Sequence, residues 1–244
     1  MKLSRKEFLI GAGGLSAGFP LGAIAHDRAN PGTRSFAQCG EDLIVDFILG
    51  YIGVEDMTYL DIGAFDPIEI NNTYLFYEKG FKGVLVEPNP VMCDKLRKVR
   101  PRDTTLTAGI GITDEREADF YQMSDPSWNT FSKEEAEHVV KTTNGAIFVE
   151  KQLKMPLLDI NRVMGEHFGG APTFVSIDAE GLHFDLVKAI DYSKYRPLVI
   201  CVETLVSGTT KTIPEIAQYM SSQGYVERGG SFVNDIFVDV KVLA

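Results

Sequence analysis

The predicted fold of this chain depends most on one short stretch, Tyr59-Leu60-Asp61-Ile62-Gly63-Ala64-Phe65-Asp66. Its apolar start predicts a β-strand, and Gly63 allows the backbone to turn sharply and to approach a ligand closely. In doubly wound α/β folds, ligands lie beyond the carboxyl ends of the strands. The stretch therefore predicts the first strand of such a sheet, with a binding loop directly after it.

Short apolar segments elsewhere indicate that this strand has several neighbours. Further strands, rich in β-branched residues and typical of a sheet covered on both faces, are predicted at residues 83–87, 104–108, 173–178 and 198–203. Helical spacing of apolar residues predicts helices around residues 43–48, 182–190 and 214–222. The alternation predicts a doubly wound α/β fold, and residues 224–228 and 234–240 add a hairpin that places an antiparallel strand in the sheet.

Two segments depart from this alternation. Residues 1–25 combine a basic start with a Gly-rich apolar stretch, which is typical of an export signal or of a disordered extension. Ser4-Arg5-Lys6-Glu7-Phe8-Leu9 is similar to a twin-arginine signal, with Lys6 where the second arginine is expected. Residues 26–244 form one predicted domain. Within it, residues 116–155 are too long for a simple connection and predict either an insertion that recognises the substrate or a surface excursion.

Composition narrows the function classes. The chain has 244 residues, and 34 Asp and Glu residues outnumber 24 Lys and Arg residues, so the net charge is −10. This acidic balance argues against nucleic acid as a partner, because phosphate backbones would be repelled. No segment after residue 25 is apolar for long enough to predict a membrane span. The three cysteines, Cys39, Cys93 and Cys201, form no Cys-x-x-Cys pair and predict neither a disulfide framework nor a zinc site.

The ends of the first two strands predict a nucleoside ligand. Glu87 closes the second strand, where a carboxylate can accept hydrogen bonds from both hydroxyls of a ribose. The loop after Gly63 lacks the later glycines of a nicotinamide-dinucleotide site, and Asp66 would repel a pyrophosphate. An acidic loop with Asp61 and Asp66 instead suits S-adenosylmethionine, whose amino and sulfonium groups are positive. The alternative is that Asp61 and Glu87 only cap the strand ends.

Several motifs, in order along the chain, make it similar to a known family. They occupy residues 35–42, 60–64, 72–80, 86–90, 176–181 and 196–197. On these motifs the chain resembles the FkbM family of methyltransferases over about residues 35–240. The resemblance implies a class I (Rossmann-like) methyltransferase fold, an S-adenosylmethionine cofactor, and O-methylation of sugars or polyketide-type products.

The resemblance also implies which residues bind the cofactor. They are Asp61, Gly63, Ala64 and Asp66 around its methionine end, Glu87 at its ribose, and Pro88 and Asn89 beside its adenine. Gln38 either covers the cofactor site from the amino-terminal side or belongs only to the start of the first helix.

Candidate catalytic residues follow the fourth strand of the predicted sheet. Methyl transfer to a hydroxyl needs alignment of the acceptor, the methyl group and the sulfur, and a base for the proton. The candidate bases are Asp178, Glu180 and His183. Alternatively, Glu180 caps the following helix and His183 lies on the surface. A magnesium ion held by Asp178, Glu180 and Glu203 is a less favoured alternative, and no metal site is predicted.

The sequence therefore predicts an S-adenosylmethionine-dependent methyltransferase that acts on a hydroxyl of a sugar, a glycan or a related small molecule. Two alternatives stay open: a nucleoside-binding module of the same fold without turnover and, less favoured, a nicotinamide-linked enzyme. A cytoplasmic location is predicted, because S-adenosylmethionine is a cytoplasmic metabolite and the signal-like segment departs from its motif.

Overall fold

A seven-stranded sheet forms the centre of the computed structural model, which describes residues 33–179, 181–206 and 209–243. The strands in these residues are β1 (Thr58–Ile62), β2 (Lys82–Glu87), β3 (Thr104–Thr107), β4 (Gly109–Ile110), β5 (Glu117–Met123), β6 (Val149–Leu158), β7 (Phe174–Ile177), β8 (Val199–Glu203), β9 (Tyr225–Gly230) and β10 (Asn234–Asp239). The signal-like residues 1–25 lie outside the described residues.

Seven α-helices accompany the strands in the described part of the chain. They are α1 (Glu41–Tyr51), α2 (Tyr74–Glu78), α3 (Pro90–Val99), α4 (Lys133–Thr142), α5 (Ile160–Phe168), α6 (His183–Ala189) and α7 (Pro214–Ser222). None of these described helices combines the length and the hydropathy that a membrane crossing requires.

The order of the strands in the main sheet is β3-β2-β1-β7-β8-β10-β9. β1 pairs in parallel with both β2 and β7, and β7 pairs in parallel with β8. β10 runs antiparallel between β8 and β9. The arrangement confirms the predicted doubly wound sheet, mostly parallel with an antiparallel strand from the terminal hairpin. Strand order reverses between β1 and β7, which is where ligands bind in such sheets.

Both faces of the main sheet are covered, because its central strands carry apolar residues on both sides. Neighbouring residues of a strand point to opposite faces. Leu60 and Val175, which lie opposite each other in the register, belong to the core on one face. Tyr59 and Phe174, also opposite each other, belong to the core on the other face. Burial on both faces holds the carboxyl ends of β1, β2, β7 and β8 at one edge of the sheet.

A second, three-stranded sheet occupies much of the predicted insertion. Its order is β4-β6-β5. β5 and β6 form a long antiparallel ribbon, in which Glu117 lies opposite Pro156 and Met123 lies opposite Val149. Between these two strands, the chain forms a 3₁₀ turn at Pro126–Trp128 and then helix α4. The sequence did not predict this ribbon, although it did predict a break in the alternation here.

Helix α1 is joined to the terminal hairpin through a buried carboxylate. Glu41 is fully buried and accepts hydrogen bonds from Ser231 Oγ at 2.5 Å and from Asn234 Nδ2 at 2.9 Å. The adjacent Asp42 accepts a hydrogen bond from the backbone N–H of Phe36 at 2.7 Å. These contacts fix the segment that precedes α1, which lies at the same edge as the strand ends.

Candidate active site

A cavity of about 390 Å³ opens at the carboxyl ends of the central strands. Its volume is in the range of sites that hold small molecules and cofactors. The predicted site residues that line it are Gln38, Gly63, Glu87, Pro88 and Asp178. Residues 126–131 of the predicted insertion form another part of its lining. The main sheet and the second sheet thus contribute to one site.

Glu87 lies at the end of β2, where the backbone orients its buried carboxylate. Oε1 accepts a hydrogen bond from Asn89 N at 2.7 Å, and Oε2 accepts one from Phe65 N at 3.0 Å. Burial raises the pKa of Glu87 to about 7, although these two backbone hydrogen bonds oppose the rise. Each carboxylate oxygen has further acceptor capacity. The side chain can therefore also accept hydrogen bonds from ligand hydroxyls in the cavity.

Gly63 directly follows β1 and packs against Asp178, which directly follows β7. Its φ is +81°, and a Cβ placed on it would lie 1.7 Å from the carbonyl oxygen of Asp178. Its N–H donates to the Val86 carbonyl at 2.9 Å, and the N–H of Asp178 donates to the Ile62 carbonyl at 2.9 Å. Glycine is therefore required here by the contact between the two loops themselves, whatever ligand approaches them.

Asp61 lies behind the cavity and is absent from the described residues that line it. It is buried, and its Oδ2 accepts a hydrogen bond from Thr73 Oγ1 at 2.6 Å. The fully buried Arg100 donates to the same Thr73 oxygen at 2.9 Å and to Asp103 at 2.8 Å. Burial raises the pKa of Asp61 to about 6, against the opposing effect of Arg100. The Asp61 side chain thus stabilises the loop after β1 through Thr73 and does not line the cavity.

Three other predicted cofactor residues shape the loops around the cavity. Ala64 is buried against the core on the Tyr59 face. Asp66 Oδ1 accepts hydrogen bonds from two backbone N–H groups of the turn that follows, each at 3.0 Å. Asn89 Oδ1 accepts the N–H of Val91 at 3.0 Å and so caps helix α3. None of these three is among the described residues that line the cavity.

An acidic cluster with one histidine lies at the ends of β7 and β8. His183 Nε2 is 2.8 Å from Glu203 Oε2 and 3.9 Å from Asp178 Oδ1. The His183 side chain is 2% exposed, so it does not lie on the surface, whereas the Asp178 side chain is 44% exposed. Burial alone would lower the pKa of His183, but the two carboxylates raise it to about 10. Glu180, the third predicted catalytic residue, lies outside the described residues.

The lining of the cavity is acidic. It contains three carboxylates, Glu87, Asp178 and Glu203, and no Lys or Arg is among the described residues that line it. A cavity of this charge favours a cationic ligand and disfavours a pyrophosphate. The amino and sulfonium groups of S-adenosylmethionine fit this requirement.

Two aromatic residues from the segment between β5 and α4 also line the cavity. Trp128 and Phe131 both line it. The Phe131 ring packs against Phe120, with the ring centroids 5.0 Å apart. The N–H of Tyr121 donates to the Thr130 carbonyl at 2.8 Å, which ties this loop to β5. The loop is thus held on a rigid ribbon rather than left free.

Comparison with known proteins decides the family. The sequence matches the Methyltransferase FkbM domain over residues 61–227, from the end of β1 into β9. The chain belongs to the FkbM methyltransferase family. No curated protein matches the chain.

Several solved methyltransferase structures are similar to this FkbM protein at low sequence identity. A precorrin-6y C5,15-methyltransferase from Geobacter metallireducens GS-15 is 10% identical, with a TM-score of 0.43; the match covers 87% of this chain and 94% of that one. The 1,6-didemethyltoxoflavin-N1-methyltransferase of Burkholderia thailandensis, with bound 1,6-didemethyltoxoflavin and S-adenosylhomocysteine, is 13% identical, with a TM-score of 0.41 and coverage of 81% and 74%. An O-methyltransferase from Bacillus cereus in complex with SAH is 13% identical, with a TM-score of 0.36 and coverage of 81% and 80%.

Family and topology agree with the prediction made from the sequence. The FkbM match and the mostly parallel seven-stranded sheet with its antiparallel strand are those of a class I S-adenosylmethionine-dependent methyltransferase. Two parts of the FkbM site were not predicted. Glu203 was considered only as a metal ligand, although it ends its strand as Glu87 does, and the aromatic residues of 126–131 carried no motif.

Proposed function

We propose that this FkbM protein transfers the methyl group of S-adenosylmethionine to a hydroxyl of a sugar, a glycan or a related small molecule. The observation that carries the proposal is the acidic cavity at the strand ends, with Glu87 at the end of β2 and no Lys or Arg among the described lining residues. S-adenosylmethionine supplies an electrophilic methyl group on a positively charged sulfur. A cavity without cationic side chains suits that charge and not the pyrophosphate of a nicotinamide cofactor.

The residues at the ends of β1 and β2 hold the cofactor in this proposal. Glu87 accepts hydrogen bonds from the two ribose hydroxyls, while its own backbone partners keep it oriented. The backbone at Gly63 faces the methionine end, and Pro88 and Gln38 flank the adenine. The remaining predicted residues act indirectly. Asp61, Ala64, Asp66 and Asn89 fix the shape of the loops.

The acceptor lies between the acidic cluster and the aromatic residues in this proposal. Asp178 is the partly exposed carboxylate of the cluster and lines the cavity, so it is placed to accept the hydroxyl proton. The more deeply buried His183 orients the carboxylates, and Glu180 remains a candidate base. Trp128 and Phe131 offer the apolar surface against which a sugar ring packs, which excludes water from the reacting atoms.

Calorimetry on the full chain tests the cofactor part of the proposal. S-adenosylmethionine and S-adenosylhomocysteine are expected to bind, and NAD is not. If neither S-adenosyl compound produces heat while NAD does, the assignment of the cofactor is wrong. If they bind but no labelled methyl group enters a panel of sugars, glycans and hydroxylated small molecules, the protein is a nucleoside-binding module without turnover.

Isosteric substitutions test the proton acceptor. We expect Asp178→Asn to lower the rate of methyl transfer by about 10²- to 10⁴-fold, the range typical of a lost general base. Its affinity for S-adenosylmethionine should change little, because the cofactor contacts lie at β1 and β2. Full turnover by Asp178→Asn and by Glu180→Gln would show that neither carboxylate is the base.

The proposed reaction places the protein where its cofactor is made, in the cytoplasm. Fractionation of cells that express the full chain tests this location. Recovery of a shortened chain outside the cytoplasm would instead show that residues 1–25 act as an export signal.

A further inference from the structure

The acidic cluster has the composition of a metal site. Asp178, His183 and Glu203 come from three different positions along the chain: directly after β7, the first residue of α6, and the end of β8. One ligand atom from each side chain lies within 4.8 Å of the other two. Two atoms that bind the same ion at about 2.1 Å can be at most about 4.2 Å apart. The 2.8 Å and 3.9 Å distances from His183 Nε2 fit this limit, and the ligand atoms of Asp178 and Glu203 lie within 4.8 Å of each other.

Two atoms of this cluster are buried without a hydrogen-bond partner. They are His183 Nε2 and Glu203 Oε2, which lie 2.8 Å apart and form an ion pair when His183 is protonated, but which make no hydrogen bond of regular geometry. A buried polar atom that makes no hydrogen bond costs about 1–3 kcal/mol. His183 is 98% buried by side-chain area, since only 2% of it is exposed. One ion bound to both atoms would remove both unfavourable terms.

The surrounding charge favours a cation. Asp178 and Glu203 bring two carboxylates together, and Glu87 lines the same cavity. No Lys or Arg is found among the described residues of that lining, so protonated His183 is what offsets the two carboxylates there, and a divalent ion would replace its proton. A mixed set of one imidazole and two carboxylates suits transition-metal ions, whereas calcium prefers oxygen ligands alone.

We propose that Asp178, His183 and Glu203 bind one divalent transition-metal ion, of the Mn²⁺ type, with open coordination positions that face the cavity. The set differs from the magnesium site considered from the sequence, because His183 is a ligand and Glu180 is not needed. Asp178 binds through one carboxylate oxygen and keeps the other for the acceptor.

The role of this ion rests on the proposed function, because it acts on the acceptor hydroxyl. A hydroxyl bound to a divalent cation loses its proton more easily. The proton passes to the free oxygen of Asp178, and the new O–C bond forms as the C–S bond of the cofactor breaks. Binding of the ion itself, however, needs neither the cofactor nor the acceptor.

A titration with Mn²⁺, followed by the loss of the electron paramagnetic resonance signal of free Mn²⁺, tests the site on the full chain after chelator treatment. We expect one Mn²⁺ per chain. Glu203→Gln and Asp178→Asn should each weaken binding by more than about tenfold. Glu87→Gln is the matched control, since it removes a carboxylate from the same cavity outside the cluster, and it should retain Mn²⁺ binding.

The opposite pattern is expected for the cofactor. Glu87→Gln should lose affinity for S-adenosylmethionine, and Glu203→Gln should retain it. If the wild-type chain and Glu203→Gln take up Mn²⁺ equally or not at all, the metal site is wrong, whether or not S-adenosylmethionine binds. If Mn²⁺ binds as expected but S-adenosylmethionine does not, the proposed function fails and the metal site stands.

Folding is controlled separately for these variants. Circular dichroism and a thermal melt must show that each variant is folded. Asp178→Asn serves as the second test because its side chain is partly exposed, so the substitution leaves no buried charge unpaired. If folded Asp178→Asn binds Mn²⁺ as tightly as the wild type, the proposal is overturned.

Discussion

The two halves of the cavity satisfy their polar groups in different ways. On the proposed cofactor side, the carboxylates in the lining and behind it are already bound by the chain itself: Asp61 by Thr73, Asp66 by its own turn, and Glu87 by two backbone N–H groups. On the acceptor side, His183 Nε2 and Glu203 Oε2 are buried without a hydrogen-bond partner. The first half is therefore organised before any ligand binds, whereas the second half lacks a component that a ligand supplies.

Removal of the buried cation beneath the cofactor side should produce the largest effect. Arg100→Met leaves Asp103 and Asp61 buried without their neutralising guanidinium. A broken buried ion pair costs about 3–5 kcal/mol, so urea denaturation should show a loss of that size in the free energy of unfolding. Arg97→Met, in an exposed pair with Asp94, is the control and should change it by less than about 1 kcal/mol. Equal losses of stability in the two variants would mean that the hydrogen bonds of Arg100 do not stabilise the loop after β1.

A methyl group at the contact between the two halves should have the next largest effect. In Gly63→Ala, the added Cβ would meet the Asp178 carbonyl at 1.7 Å, and the left-handed φ adds strain. We expect a loss of about 3 kcal/mol in the free energy of unfolding, measured in urea. Gly53→Ala isolates the strain, because its φ is +75° but no atom lies within 4 Å of its added Cβ. If the Gly63 variant is no less stable than the Gly53 variant, close packing of Gly63 against Asp178 does not require glycine.

Loss of the Glu87 charge should weaken binding of S-adenosylmethionine while the protein stays folded. Glu87→Gln keeps the shape of the side chain but weakens a hydrogen-bond acceptor for the ribose hydroxyls. A hydrogen bond to a charged group contributes about 1.5–3 kcal/mol, so calorimetry should show S-adenosylmethionine binding weakened by about 10- to 100-fold. The exposed Glu69→Gln, in the neighbouring loop, should bind normally. Unchanged affinity in Glu87→Gln would remove Glu87 from the cofactor site.

The pKa of Glu87, raised to about 7, predicts a smaller, pH-dependent effect. Asp61 and Asp178 are the charged groups that add to the rise caused by burial. Only the ionised carboxylate accepts both ribose hydroxyls, so affinity should rise about tenfold from pH 6 to pH 8 and then level off. The same ionisation of a buried acid should lower stability as pH rises from about 4.5 to 7. The affinity trend should disappear in Glu87→Gln, and its persistence there would assign it to another group. The stability trend should only weaken, because the pKa of Asp61, raised to about 6 by burial, causes a loss of the same sign at lower pH.

The smallest effect is expected from the aromatic residues on the acceptor side. Trp128→Ala removes apolar contact with the acceptor, worth about 0.5–1.5 kcal/mol, so the KM for the acceptor should rise about fivefold. The affinity for S-adenosylmethionine should be unchanged. Phe148→Ala is the control, because Phe148 is 51% exposed in the same region and does not line the cavity. Equal KM values for the two variants would place the acceptor elsewhere.

The sequence was sufficient to predict the central sheet because its signals are local. The strand predicted at residues 83–87 is β2, and the helix predicted at residues 214–222 is α7 with the same bounds. The ribbon of β5 and β6 was missed because β6 has a single buried residue, Met155, and exposed polar residues such as Lys151 and Lys154, so it lacks the alternation of a half-buried strand. Its strands are fixed by pairing with each other, which a local pattern does not contain.

The site was predictable only where one loop forms it. Gly63 directly follows β1, Glu87 is the last residue of β2, and both line the cavity. The support of Asp61 by Arg100 and the approach of His183 to Glu203 join residues that lie far apart in the chain. Such pairs depend on which strands become neighbours in the sheet, and no spacing in the sequence specifies that.

The hydrogen bonds of Glu41 also set the order in which the site can be completed during synthesis. They join the first helix of the main sheet to Ser231 and Asn234, which the ribosome adds nearly two hundred residues later. Until those residues emerge, Glu41 has only the local N–H of Cys39 as a partner. The segment that carries Gln38 is then held only by residues near it in the chain, such as Asp42 and Asn71. A nascent chain can thus assemble β1 and β2 early, yet its cavity is complete only when Val233, which also lines it, has left the ribosome.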